Sequence, residues 1–222
     1  MSKSKEVLFS YSPNGEKFPL PLAEDYDKEF ERLEKLAKKE RKAGKEIVVV
    51  MGVGFVGAVM AAIVADTKDE SGKNSKFVIG CQRPSTRSYW KIPILNLGVS
   101  PVKAEDPEVD ILISRCVKES KTLTATYNSE ALKLADCVIV DVQCDYIKNS
   151  LGDMRDGEAD MAALEATLKT IGEKIPEHCL VLIETTVAPG TTEFVAWPIL
   201  KKEFSRRGLK MTPLLAHSFE RV

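Results

Sequence analysis

Apolar positions along this chain follow two alternating rhythms. Short unbroken runs rich in β-branched residues predict buried strands at 46–51, 76–81, 110–113, 137–142, 180–184 and 211–216. Between them, apolar residues at helical spacing predict helices at 55–66, 128–135, 160–174 and 192–207. Strands alternating with helices imply a parallel sheet covered on both faces, with right-handed crossovers. Residues 1–22 read as irregular, broken by Ser12-Pro13-Asn14-Gly15 and Pro19-Leu20-Pro21. From 23 to 43 the pattern turns helical, with Tyr26, Phe30, Leu33, Leu36 and Ala37 on one stripe and Gly44 as a stop. That helix either packs on the main domain or grips a second subunit, making a homo-oligomer. The polar stretch 67–75 reads as a loop, and 145–158 as a flap or a solvated connection. The chain thus divides into an N-terminal extension with one helix, 1–44, and a larger domain, 45–222.

Ligands in such sheets sit beyond the carboxyl ends of the strands. At the first such end, Ile47 to Met51 run into Gly52-Val53-Gly54-Phe55-Val56-Gly57, and an apolar helix follows. Glycines at this spacing between a strand and a helix fit a dinucleotide-binding turn. Gly52 permits the tight turn, Gly54 lets the backbone approach a pyrophosphate, and Gly57 lets the helix close onto the strand. Free N–H groups and the positive end of the helix dipole then face the phosphates. The bland alternative is a glycine-rich turn without a ligand. With a ligand, the fold class is α/β, a doubly wound, mostly parallel, Rossmann-type sheet preceded by the helical extension, and 45–222 is a dinucleotide-binding domain.

The second strand should end beside the adenosine ribose, where an NAD site carries Asp or Glu. This chain has Cys81-Gln82-Arg83 there, then Ser85, Thr86 and Arg87. Two readings stay open. Either Arg83 or Arg87 pairs with a 2′-phosphate, so that NADP is accepted, or Gln82 bonds the ribose of NAD and the arginines face water. Further along, the strand of 137–142 delivers Val142, Gln143 and Cys144 to the cofactor side. Leu180 to Ile183 end in Glu184-Thr185-Thr186, hydroxyls suited to holding a water or an amide. Pro189-Gly190 then turns the chain, and Thr191 or Thr192 is placed to cap the next helix. Glu220 follows the last strand, as a general base or a surface acid.

Bulk composition narrows the partners. With 222 residues, 44% hydrophobic and 29% charged, a globular core is expected. A net charge of −1 gives no electrostatic footprint for nucleic acid. The five cysteines, Cys81, Cys116, Cys137, Cys144 and Cys179, are odd in number and widely spaced, with no CxxC or Cys/His cluster, so neither a metal site nor a disulfide framework is expected. No stretch is long and apolar enough for a membrane span, and no signal sequence opens the chain. The expectation is a soluble, cytoplasmic protein.

Several segments, taken in order, resemble the UDP-glucose/GDP-mannose dehydrogenase family, the nucleotide-sugar 6-dehydrogenases, from about Lys45 to Val222. Gly52 to Gly57 is similar to its GxGYVG turn, and Leu95-Asn96-Leu97-Gly98-Val99-Ser100-Pro101 to its LNxGxxP segment. Ala135-Asp136 with the strand after it matches a third. Glu184-Thr185-Thr186-Val187-Ala188-Pro189-Gly190-Thr191-Thr192 is close to ESTVPPGTT, the most specific of the set. Ser218-Phe219-Glu220-Arg221-Val222 resembles SPERV. The resemblance implies an oxidoreductase of the alcohol-oxidising EC 1.1.1 class. It would convert the C6 alcohol of a UDP-sugar to a carboxylate with two NAD+, through a thioester on a cysteine. It also implies that Thr186 and Glu220 position and activate water, and that Thr185, Thr186 and the turn at 52–57 touch the cofactor.

The chain departs from that pattern at Gln82, where the family has Asp, at Cys144-Asp145, where it has a Thr-Pro pair, and at Phe219, where it has Pro. The family's nucleophilic Cys, central helix and substrate domain would fall after Val222, so this piece is expected to be inactive alone. Two rivals remain: a β-hydroxyacid-type dehydrogenase domain, and a non-catalytic nucleotide-sensing or assembly module.

Overall fold

The computed structural model describes residues 7–148, 150, 152 and 157–218. They fall into two compact units, Met1–Ala131 and Leu132–Val222.

Among the described residues, the first unit begins with a hairpin rather than irregular chain. Strands β1 (Phe9–Tyr11) and β2 (Lys17–Pro19) pair antiparallel across the turn that Ser12-Pro13-Asn14-Gly15 announces. Helix α1 spans Asp25–Lys42 and buries Leu33, Ala37 and Glu40 at helical spacing. It stops where Gly44 takes φ +84°, a left-handed conformation that suits glycine. Next come β3 (Glu46–Met51), α2 (Phe55–Ala65), β4 (Lys76–Cys81), α3 (Lys91–Asn96), α4 (Glu108–Ser114) and β5 (Leu123–Thr126). Strands β3, β4 and β5 are parallel neighbours, with Val48 opposite Val78 and Val78 opposite Leu123. Ile47 to Val50 are all buried, which is why β3 reads as an unbroken apolar run. Helix α2 packs on β3, β4 and β5, and α1 packs on β3. Buried alanines at 58, 61, 62 and 65 keep α2 close to its strands.

The predicted strand at 110–113 is not one; it lies inside α4. The Ile-Leu-Ile triplet imitates a strand, but Ile111 is exposed and burial falls on Ile113 and Cys116, three apart. Helix-start signals override the triplet: the Asp106 carboxylate accepts the Glu108 N–H at 2.8 Å, Pro107 precedes the first turn, and Glu108 and Asp110 lie at the positive end of the dipole. The strand falls instead at 123–126, and a second unpredicted element is α3.

The second unit contains β6 (Cys137–Val140), β7 (Asp145–Ile147), β8 (Glu158–Asp160), α5 (Ala162–Lys174), β9 (Leu180–Ile183), α6 (Trp197–Arg206) and β10 (Leu214–His217). Strands β6 and β10 flank β9, both parallel to it. The predicted strand at 211–216 is thus displaced to 214–217. The expected loop 145–158 carries β7, which pairs antiparallel with β8. The expected helix 128–135 is a tight 3-10 segment, Ser129–Leu134. The expected helix 192–207 begins as a wider turn over Thr192–Ala196, because Pro198 has no N–H to donate back one turn. Helices α5 and α6 pack at Gly172, where a Cβ would lie 2.8 Å from that of Glu203. Parallel strands alternating with helices in both units make the chain α/β, of the doubly wound Rossmann-type class. Among the described residues, no helix is long and apolar enough to cross a membrane.

Candidate functional site

The glycine turn is built as its spacing predicts. Gly52 takes φ +102°, and its N–H donates to the Cys81 carbonyl at 2.9 Å, tying the start of the turn to the end of β4. Val53 turns inward and is fully buried. Gly80 on β4 makes room for it: a Cβ there would lie 2.7 Å from the Val53 Cγ1. Gly54 caps α2 in an extended conformation, φ −80° and ψ −153°. Nothing lies within 4 Å of where its Cβ would be, so the backbone is open on that side. The first helical hydrogen bond runs from the Ala58 N–H to the Gly54 carbonyl at 3.2 Å. The N–H groups of Phe55, Val56 and Gly57 therefore have no acceptor within the helix, and they cluster at its positive end. Gly57 is buried and Phe55 is exposed. An open glycine corner beside free N–H groups fits a pyrophosphate.

Gln82 joins this turn directly. Its backbone N–H donates to the Thr126 carbonyl at 3.0 Å, and its side-chain Oε1 accepts the Val53 N–H at 3.0 Å. Arg83 is exposed, as is Arg87. The loop that carries them is pinned at its far end: the Trp90 indole donates to the Arg87 carbonyl at 3.0 Å, and the Trp90 N–H donates to the Ser10 hydroxyl at 3.1 Å.

The N-terminal segment reaches the same strand ends, which the sequence did not signal. Glu29 accepts the Thr126 hydroxyl at 2.7 Å and both arms of the Arg32 guanidinium at 2.8 Å. Arg32 also donates to the Thr124 hydroxyl at 3.3 Å. The Asn128 amide donates to the Tyr26 carbonyl at 2.7 Å. Tyr127 meets the Tyr26 ring edge-on at 5.1 Å and lies 5.9 Å from Tyr89. A groove of about 620 Å³ lies beside this cluster, lined by Leu20, Leu22, Lys28, Arg32, Tyr89 and Tyr127, and does not include the glycine turn.

In the second unit the structure brings together the ends of β6 and β9. The N–H groups of Glu184 and Thr185 both donate to the Val140 carbonyl, at 3.0 and 3.3 Å. This sets Glu184-Thr185-Thr186 beside the start of Val142-Gln143-Cys144. Thr185 is buried, whereas Thr186 is exposed. The Gln143 amide donates to Asp145 at 2.6 Å. Burial raises the Cys144 thiol pKa, and the carboxylates of Asp145 and Asp160 raise it further, so this cysteine stays protonated near neutrality. Thr191 sits at the helix start but makes no side-chain capping bond. The turn is closed by main chain instead, with Gly190 at φ +86° and its carbonyl accepting the Phe194 N–H at 2.8 Å. Glu220 lies outside the described residues.

The model of the UDP-glucose/GDP-mannose dehydrogenase family, NAD binding domain, matches residues 46–222. A UDP-N-acetyl-D-mannosamine dehydrogenase from Pyrococcus horikoshii is 29% identical over 175 residues, 79% of this chain and 36% of that protein. Among solved structures, an NDP-N-acetyl-D-galactosaminuronic acid dehydrogenase from Methanosarcina mazei is similar at TM-score 0.68 and 33% identity, over 86% of this chain and 37% of that one. A GDP-mannose dehydrogenase from Pseudomonas aeruginosa, solved as a ternary complex, matches at TM-score 0.62 and 25% identity, over 79% of this chain and 36% of that one. The chain therefore spans little more than a third of the length of these relatives. With the family match running from β3 to the last residue, the chain belongs to the UDP-glucose/GDP-mannose dehydrogenase family, as its NAD-binding domain.

Proposed function

We propose that residues 45–222 hold the dinucleotide of a nucleotide-sugar 6-dehydrogenase, and that the whole protein oxidises the C6 alcohol of a UDP-sugar to a carboxylate. That conversion removes four electrons and adds one water, so it consumes two NAD+ per sugar. When bound, the nicotinamide accepts the hydride that leaves C6. Everything else is the task of side chains and backbone. The N–H groups of Phe55, Val56 and Gly57 hold the pyrophosphate, Gly54 lets it approach, and Val53, Gln82 and Arg83 line the ribose end. Val142, Gln143, Cys144, Thr185 and Thr186 line the nicotinamide end. The Thr186 hydroxyl and the Glu220 carboxylate orient and deprotonate the water that completes the second oxidation. The protonated thiol of Cys144 leaves the covalent step to another cysteine of the whole protein. The nucleotide sugar is the small-molecule partner, taken from the kind of substrate that the relatives' names carry.

The observation that carries this reading is the unobstructed backbone at Gly54, next to the unpaired N–H groups of the first turn of α2. Titration with NADH, followed by quenching of Trp90 and Trp197, tests it. Saturable binding by the native chain, weakened on the order of 100-fold by Gly54→Val, is expected. Failure of the native chain to bind removes the proposal.

A further inference from the structure

Val53 donates its N–H to the side chain of Gln82, and only one end of that side chain can accept. An amide NH2 cannot accept from an N–H, so the carbonyl Oε1 faces the turn, 3.0 Å away. The flip of the Gln82 amide is thereby set by backbone chemistry. Its Nε2 is the end left for a ligand, and it carries two donors and no acceptor. The Gln82 main chain is fixed as well, through its N–H to the Thr126 carbonyl. An NAD site places a carboxylate here, two acceptors and a negative charge, to receive the ribose hydroxyls and repel a 2′-phosphate. This chain reverses the polarity of the group.

The surroundings point the same way. Arg83 follows Gln82 immediately and Arg87 lies on the same pinned loop; both are exposed, and neither guanidinium has an ion-pair partner among the described residues. The carboxylate found at the neighbouring strand end, Glu29, is neutralised by both arms of Arg32 and by the Thr126 hydroxyl. Two amide donors and two exposed guanidinium forks make a receptor for a phosphate dianion.

Resting on the dinucleotide reading above, we infer that this site takes the 2′-phosphorylated cofactor, NADP(H), at least as well as NAD(H). Gln82 is the residue that sets the preference, through the two donors its anchored amide presents.

Parallel titrations of the full chain with NADPH and NADH, by calorimetry and by tryptophan quenching, test the inference. The native chain should bind NADPH no more weakly than NADH. Gln82→Asp should shift the ratio of the two dissociation constants toward NADH by about tenfold or more, because the new carboxylate repels the phosphate. Arg83→Ala with Arg87→Ala should weaken NADPH by a larger factor than NADH. The native ratio stands as a test even if Gln82→Asp disturbs the turn, since it needs no variant. If NADH binds about tenfold more tightly than NADPH and the arginine variants leave the ratio unmoved, the preference falls while the dinucleotide reading survives. If neither cofactor binds, both fall.

Discussion

The two units offer a ligand different kinds of surface at their strand ends. At the end of β3 the surface is main chain: glycines, a bare corner, and the first N–H groups of α2. At the ends of β6 and β9 it is side chain: the hydroxyls of Thr185 and Thr186, the amide of Gln143, the thiol of Cys144. Backbone groups recognise what every dinucleotide shares, a diphosphate. Side chains can be aimed at what differs, the reacting carbon and its water. The first surface is also the more constrained. Gly52, Val53, Gly80, Cys81 and Gln82 interlock through two hydrogen bonds and one close packing contact, whereas Thr186 lies on the exposed surface.

The sharpest test of this contrast is Gly54→Val. Open space around the missing Cβ, with φ at −80°, means that the fold should tolerate the side chain. The phosphate should not, and affinity for the dinucleotide should fall on the order of 100-fold with little change in melting temperature. Equal losses of both would show the corner to be structural. Gly80→Ala attacks the same turn from behind. Its Cβ would press on Val53, a stiff and fully buried side chain, and should cost about 1–3 kcal/mol of stability in urea titrations. It should also weaken cofactor binding, because the Val53 N–H would move from Gln82.

Glu40, on α1, separates fold from site. Burial opposes its charge, but hydrogen bonds from Lys45 at 2.6 Å and from Lys39 outweigh that and hold its carboxyl below the ordinary value of 4.5. A lowered pKa in the folded state stabilises the protein above the ordinary value, and this stabilisation is lost as pH falls through the lowered one. Glu40→Gln should cost about 1–3 kcal/mol at pH 7 and remove that part of the acid dependence of unfolding, without touching dinucleotide affinity. The smallest effect belongs to Cys144→Ser. Since burial and two carboxylates keep the thiol protonated, the substitution should change affinity by no more than about twofold, and alkylation of Cys144 at pH 7 should be slow. Rapid labelling there would contradict the assigned thiol state.

How far the sequence reaches differs between these regions for a physical reason. Strands β3 and β4 were legible because burial on both faces demands unbroken apolar runs, and the glycine turn because a pyrophosphate demands bare backbone at fixed spacing. Strand β5, Leu-Thr-Ala-Thr, was missed because two of its four residues are polar; Thr124 and Thr126 carry hydroxyls that meet Arg32 and Glu29 of α1. The triplet at 111–113 reads as a strand because three apolar residues carry no period, and the helix is signalled only by the polar start before it, Asp106, Pro107, Glu108 and Asp110. Likewise Ser10 gives no local hint that it will anchor the loop before Trp90, since a contact across 80 positions is invisible to spacing.

By itself the sequence determined the α/β class, the strand–glycine–helix turn and the hydroxyl-rich strand end, because each obeys a local rule of burial or backbone freedom. Only the tertiary structure decided which end of the Gln82 amide faces the turn, that Glu29 is neutralised by Arg32, and that the N-terminal segment braces the loop carrying Arg83 and Arg87. Those are questions of which donor meets which acceptor across distant parts of the chain, and folding alone brings the two together.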